Sequence, residues 1–188
     1  MSLELDVQKD LREWSRHALE KPSEFFNGLP ACPYAKKAFE ENKVGYVFKT
    51  EDDNLVLYQT MAGFDDTFDV ILLIDFSYKK DPQVFEEFVS DLNDAIAEGI
   101  FGQKDLWLMG FHPDDDEDEL LDDGSFSPVV GEKYAIIFIQ RLRKLQHSAD
   151  QLKDKGYYDQ AFKVPENRTL YDQRETLHRR LTNGDEAS

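Results

Sequence analysis

Leu3, Val7, Leu11, Trp14 and Ala18 fall on one stripe with charges between them, which predicts an amphipathic helix over 3–20. Pro22 and the Asn27-Gly28 pair end that helix and open a loop, where Phe25 and Phe26 read as anchors that pack it down. Pro33 suits the first position of a second helix, which stops near Asn42. The period then changes. Val44, Tyr46 and Phe48 alternate with Gly45, Val47 and Lys49 as a strand over 44–49. A turn at 51–54 leads to a second strand over 55–61, so the pair reads as a hairpin. Val70 to Ile74 is apolar on both faces, as expected of a central strand within 68–76.

Asp81-Pro82 is an acidic cap followed by proline, the start of a helix over 83–98 whose apolar face is Val84, Phe85, Phe88, Leu92, Ala95 and Ile96 and which ends near Gly99. A strand follows over 106–111. Strand, helix and strand at this length make a right-handed crossover, so 68–76 and 106–111 are expected to be parallel with their carboxyl ends side by side. Ala135, Phe138, Leu142, Leu145, Ala149 and Leu152 recur at spacings of three and four, which predicts one long helix over 132–154, ended by Gly156. A last helix is expected over 169–181. The whole reads as a two-layer α+β sandwich: a roughly four-stranded mixed sheet (44–49, 55–61, 68–76, 106–111) with helices 3–20, 83–98 and 132–154 mainly on one face. Residues 1–183 form a single domain on this reading, and 184–188 a disordered tail.

A chain of 188 residues, 40% hydrophobic with 14 Phe, is enough for one sizeable core. The apolar runs are too short for a bilayer, and the opening Met-Ser-Leu-Glu-Leu-Asp lacks the pattern of a secretory signal. The single cysteine allows no internal disulfide, which fits a reducing compartment, so a cytoplasmic location is expected. The formal charge of −17 is concentrated in residues 50–126, where 22 Asp/Glu face three Lys/Arg, whereas 127–183 balance at +4. Such a middle repels polyanions, and neither nucleic acid nor an anionic membrane is expected as the main partner. The acidic run from Asp114 to Gly124 lacks the Gly and Glu offsets of a calcium loop and reads as solvated.

Phosphate-binding glycine loops, paired zinc cysteines, His-Glu-x-x-His and Gly-x-Ser-x-Gly are all absent from the sequence. Two local arrangements remain. Cys32 stands at the opening of a helix, where free N–H groups and the dipole would lower a thiol pKa, with Lys36 one turn on; the alternative is a buried structural thiol. Asp75 and His112 each end an apolar strand, where ligands of open sheets gather. They read as ligands of a divalent metal or as a base with its orienting carboxylate, against a plain turn histidine and helix cap. Arg141 and Arg143 point about 200° apart on a helix, so at most one enters a pocket. His17, His147 and His178 read as surface residues.

Trp14, Cys32-Pro33-Tyr34-Ala35-Lys36, Leu72-Leu73-Ile74-Asp75-Phe76, Phe111-His112-Pro113, Arg141-Leu142-Arg143 and Val164-Pro165-Glu166-Asn167-Arg168 occur in an order that resembles an uncharacterised bacterial domain family. That family has Cys-Pro-(Phe/Tyr)-Ala-Lys, Phe-His-Pro and Ile-Pro-Glu-Arg-Asn motifs over roughly residues 10–170. Asp75 stands where the family pattern has histidine, and the last motif reads Asn-Arg rather than Arg-Asn. The family has no assigned reaction, so the resemblance implies a fold and a site but no substrate. Its positions favour Arg143 as an anion clamp; Lys36 and Tyr34, in the segment that opens the second helix, are expected as further substrate-binding residues. Cys-Pro-Tyr is also similar to a monothiol glutaredoxin, although here it follows a loop rather than a buried strand.

Two functions are expected from these residues. One is a small-molecule enzyme whose pocket joins Cys32, Asp75 and His112 to a basic residue, taking a small, anionic ligand and a divalent metal. The other is a non-catalytic interaction protein whose acidic surface engages a basic partner.

Overall fold

The first helix, α1 (Leu3–Trp14), begins under the Ser2 side chain, which accepts the Leu5 N–H at 3.4 Å, and continues as a π-helical turn over Ser15–Leu19. The structure is a computed structural model that describes residues 2–101, 105–115, 128–163 and 165–185. After α1 the loop closes on itself through two short antiparallel strands, β1 (Pro22–Ser23) and β2 (Leu29–Pro30). Asn27 and Gly28 make the bend at φ 55° and 79°, a left-handed conformation that suits both residues. A short α2 (Ala35–Glu40) leads into β3 (Val44–Lys49).

Residues 55–61, expected as the second arm of a hairpin, instead form a helix, α3 (Leu55–Ala62). The reason is the sheet. β3 runs parallel to β4 (Val70–Asp75), pairing Val44 with Val70 through to Lys49 with Asp75, and parallel neighbours need a crossover rather than a tight turn. Asp53 accepts the Leu55 N–H at 2.9 Å, and Leu57 and Met61, one turn apart, are the buried residues of α3. Apolar side chains at four successive positions, Leu55 to Tyr58, fit a period of two as well as a helix, so the local pattern could not decide.

The long helix expected over 132–154 is a strand, β6 (Ala135–Gln140), followed by a helix, α5 (Leu142–Lys153). Ala135, Ile137 and Ile139 join the core on one face of the sheet, and Ile136 joins the core on the other. That is period two. Arg141 is extended (φ −75°, ψ 121°) and separates the elements, and the Asp105 carboxylate accepts the Arg143 N–H at 2.8 Å in the first turn of α5. The last helix, α6 (Pro165–Asp185), is longer at both ends than its periodicity indicated.

The resulting fold is α+β around a four-stranded mixed sheet in the order β3-β4-β6-β5, with β5 spanning Trp107–Phe111. β6 is antiparallel to both of its neighbours. β4 and β5 therefore share a direction, as the crossover through α4 (Pro82–Ala97) requires, but β6 lies between them and their carboxyl ends are not adjacent. The Asp81 carboxylate caps α4, accepting the N–H groups of Gln83 and Val84 at 3.0 and 3.2 Å. α3 and α4 cover one face with Leu57, Met61, Phe85, Val89, Leu92 and Ile96. On the opposite face Val7 and Leu11 of α1 meet Leu72, Ile74 and Ile136, and Trp14 stands edge-on to Phe111 at 5.6 Å. Most of the acidic run, residues 116–124, lies outside the described residues.

β5 is an edge strand, and α4 closes that edge. The buried Asn93 amide donates to the Leu108 carbonyl at 3.0 Å, and its oxygen accepts the Leu108 N–H at 2.9 Å, standing in for a neighbouring strand. Gly110 permits the close approach: a Cβ there would sit 2.7 Å from the Phe85 ring. Asn93→Ala should lower stability by about 2–4 kcal/mol, because two buried backbone groups lose their partners at once. A urea titration checks this as a fall in midpoint at unchanged slope, and a loss below about 1 kcal/mol would contradict the edge-clip role.

Candidate functional site

Lys49 and Asp75 are the last register pair of the parallel β3–β4 ladder, so both side chains stand at its carboxyl edge. Both are buried, at 4% and 6% exposure. Lys49 Nζ lies 3.1 Å from each Asp75 carboxylate oxygen. Ser77 completes the group. Its backbone N–H donates to Asp75 Oδ1 at 2.8 Å, and its hydroxyl accepts from Lys49. The Ser77 hydroxyl proton has two acceptors in reach, Asp75 Oδ1 at 2.8 Å and the Glu51 carbonyl at 2.7 Å. Ser77 thus ties the loop after β3 to the loop after β4. With Asp52, Asn54, Tyr78 and Phe88 these residues line a cleft of about 50 Å³, room for a few waters or a small ion.

His112 is buried behind that cleft, not in it. Its ring lies edge-on to Tyr78 at 5.0 Å and tilted against Phe85 at 5.6 Å, two residues of the cleft wall. Asp114 N–H donates to Nδ1 at 3.1 Å, so that nitrogen is unprotonated, and Nε2 carries the proton it gives to the Lys79 carbonyl at 2.7 Å. Both ring nitrogens are used by backbone, leaving neither to ligate a metal or take a proton. Among the described residues no group of three or more His, Cys, Asp or Glu could hold a metal ion.

Cys32 sits two residues beyond β2, and α2 starts at Ala35 rather than at Pro33. Cys32 N–H donates to the Leu19 carbonyl at 2.9 Å, which anchors the segment to the end of the first helix. Burial pushes the thiol above its ordinary pKa, outweighing the downward pull of hydrogen bonds from the Tyr34 and Ala35 backbone, and the Glu20 charge adds to the rise. The expected activation is therefore reversed. Tyr34 and Lys36 are exposed, Lys36 pairing with Glu40 at 3.9 Å, and Arg143 is exposed at the start of α5. None of Cys32, Tyr34, Lys36 and Arg143 lines the cleft with Asp75.

Lys49 and Ser77 were missed in the sequence, although both carried a signal. Lys49 closes an apolar strand with a charge, and Ser77 follows Asp75 at the offset of an Asx turn. What the cluster can do chemically is limited. Lys49 directs its protons to Asp75 and Ser77, which suits a fixed cation rather than a base that would activate a serine nucleophile.

No protein-family model, curated protein or solved structure matches this chain. Among the described residues no helix is long and apolar enough to cross a membrane.

Asp75→Ala should cost about 3–5 kcal/mol by leaving Lys49 buried without its counter-charge, whereas Lys49→Met combined with Asp75→Leu should recover most of that loss. Denaturant titrations of the two variants check it; a double variant as unstable as the single one would contradict a bracing role. Iodoacetamide should alkylate Cys32 more slowly than a free cysteine at neutral pH, since the thiolate forms only at higher pH. The rate profile should report an apparent pKa above about 8.5, and a value below that would contradict burial as the dominant influence.

Proposed function

We propose that this protein is a non-catalytic interaction module that engages a basic protein partner through the acidic stripe of α4 and the acidic turn before α3. The observation that supports this most is on α4. Glu87, Asp91, Asp94 and Glu98 recur at spacings of four, three and four, all exposed, on a helix that contains no Lys or Arg. None of the four is in an ion pair among the described residues. Like charges at these spacings oppose the helix, and Asp94 and Glu98 also sit at the negative end of its dipole. Glu87 accepts from the Gln83 amide at 3.2 Å, but no cation among the described residues pairs with any of the four, which fits carboxylates kept for an outside cation.

The same two helices expose apolar side chains. Leu55 on α3 and Val84 on α4 are 58% and 47% exposed, and Tyr58, at 39%, lies 5.4 Å from the Phe101 ring. Asp52 and Asp53 are exposed just before α3. A charged field around a few exposed apolar side chains favours fast, salt-sensitive capture of a partner of opposite sign. The enzyme reading has less support, because Asp75 and His112 are consumed by internal bonds and the Cys32 thiol is not activated.

Neutralising the stripe (Glu87→Gln, Asp91→Asn, Asp94→Asn, Glu98→Gln) should stabilise the protein by about 1 kcal/mol as the repulsions and dipole conflict are removed. The same variant should lose a basic partner that the wild-type protein captures at low salt and releases at high salt. Calorimetric melting and paired affinity captures at two salt concentrations check this. A variant that is less stable, or that keeps the partner, would overturn the reading.

A further inference from the structure

Between α5 and α6, outside the Lys49 cleft, the Arg174 guanidinium is held in a preset plane. Its Nε donates to Gln146 Oε1 at 3.1 Å, and its carbon lies 5.2 Å from the centre of the Tyr171 ring. Gln146 is itself buried and fixed, its amide nitrogen donating to Asp150 at 2.9 Å and lying 3.5 Å from the Tyr171 hydroxyl. Yet Arg174 Nη2 is buried without a hydrogen-bond partner among the described residues, and Arg174 is in no ion pair among them. The nearby phenols do not supply a counter-charge: Tyr158 is hydrogen-bonded to Arg174, but burial raises the pKa of both Tyr157 and Tyr158 more than Arg174 lowers it, so they stay neutral. A planar, oriented and uncompensated guanidinium is the group that carboxylates and phosphates recognise through paired hydrogen bonds. Arg174 as a whole is only half-buried, so an anion meets the exposed part of the side chain first and gains Nη2 once the groups covering it shift.

We propose that Arg174, oriented by Gln146 and Tyr171, anchors an oxyanion-binding site between α5 and α6 that takes a carboxylate or phosphate group. This site is independent of the acidic face on α4. It sits in the C-terminal part of the chain, residues 127–183, where the balance of charge is positive and an anion is not repelled as it would be by residues 50–126.

The test is thermal unfolding of the intact protein titrated with sodium phosphate and, separately, with sodium acetate, at ionic strength held constant with sodium chloride. Ligand that binds only the folded state raises Tm along a saturable curve. The expected result is such a curve for at least one anion, and the anion that responds tells phosphate from carboxylate recognition. Arg174→Gln should weaken the response about tenfold or more. Gln146→Glu places a carboxylate of the chain itself on the same guanidinium but sets its second oxygen against Asp150, so it should lower Tm without added anion while, by occupying the guanidinium, abolishing the response. No saturable rise with either anion, or an unchanged midpoint in Arg174→Gln, overturns the proposal. Should Arg174→Gln fail to fold, an unchanged midpoint in Gln146→Glu does the same.

Discussion

Covering both faces of the central β4–β6 pair is the constraint that the rest of this structure obeys. Leu72, Leu73, Ile74, Ile137 and Ile139 are almost wholly buried, so neither face of these two strands can meet water. One face is closed by α3 and α4, which serve as the crossovers leaving β3 and β4, and the other by α1. Because β6 is antiparallel to β4 and β5 alike, it can complete the middle of the sheet after β5 has already been placed at its edge.

A core closed on both faces leaves polar backbone at the strand ends, and the buried ionisable side chains answer that need. Asp75 accepts from Lys49 and from the Ser77 backbone. His112 joins the Lys79 carbonyl to the Asp114 N–H. Asp10, buried on α1, accepts the N–H groups of Val129 and Val130 at 3.0 and 2.8 Å and pins the segment before β6. Each of these groups ties a loop to a strand or helix. Residues at the carboxyl ends of strands are where catalysis is commonly found, but the same positions are where a sheet must satisfy its own backbone. Here every atom that could act on a ligand at Asp75 or His112 has an internal partner.

The contrast with the outer face of α4 carries the functional reading. Inside, charge is matched atom by atom; on α4, four carboxylates repeat along one stripe with no cation on the helix. Arg174 is the converse case, a cation whose Nη2 has no acceptor among the described residues. Both features depart from the compensation seen elsewhere among the described residues.

Much of the architecture was legible in the residues themselves. Asp81-Pro82 predicts the start of α4 because a carboxylate cap and a residue without an N–H both suit a helix opening, and Val70 to Ile74 declares a central strand by being apolar on both faces. The acidic surplus is likewise a property of the sequence alone. What the sequence left open was decided by partners distant along the chain. Leu55 to Ala62 is helical because β3 and β4 pair in parallel, and Ala135 to Gln140 is extended because a place stands between β4 and β5. The roles of Asp75 and His112 belong to the same class: a carboxylate or an imidazole at a strand end has the same identity whether free or bonded. Only the positions of Lys49, Ser77, Lys79 and Asp114 around them, brought close by tertiary folding, determine that their hydrogen-bonding capacity is spent within the protein.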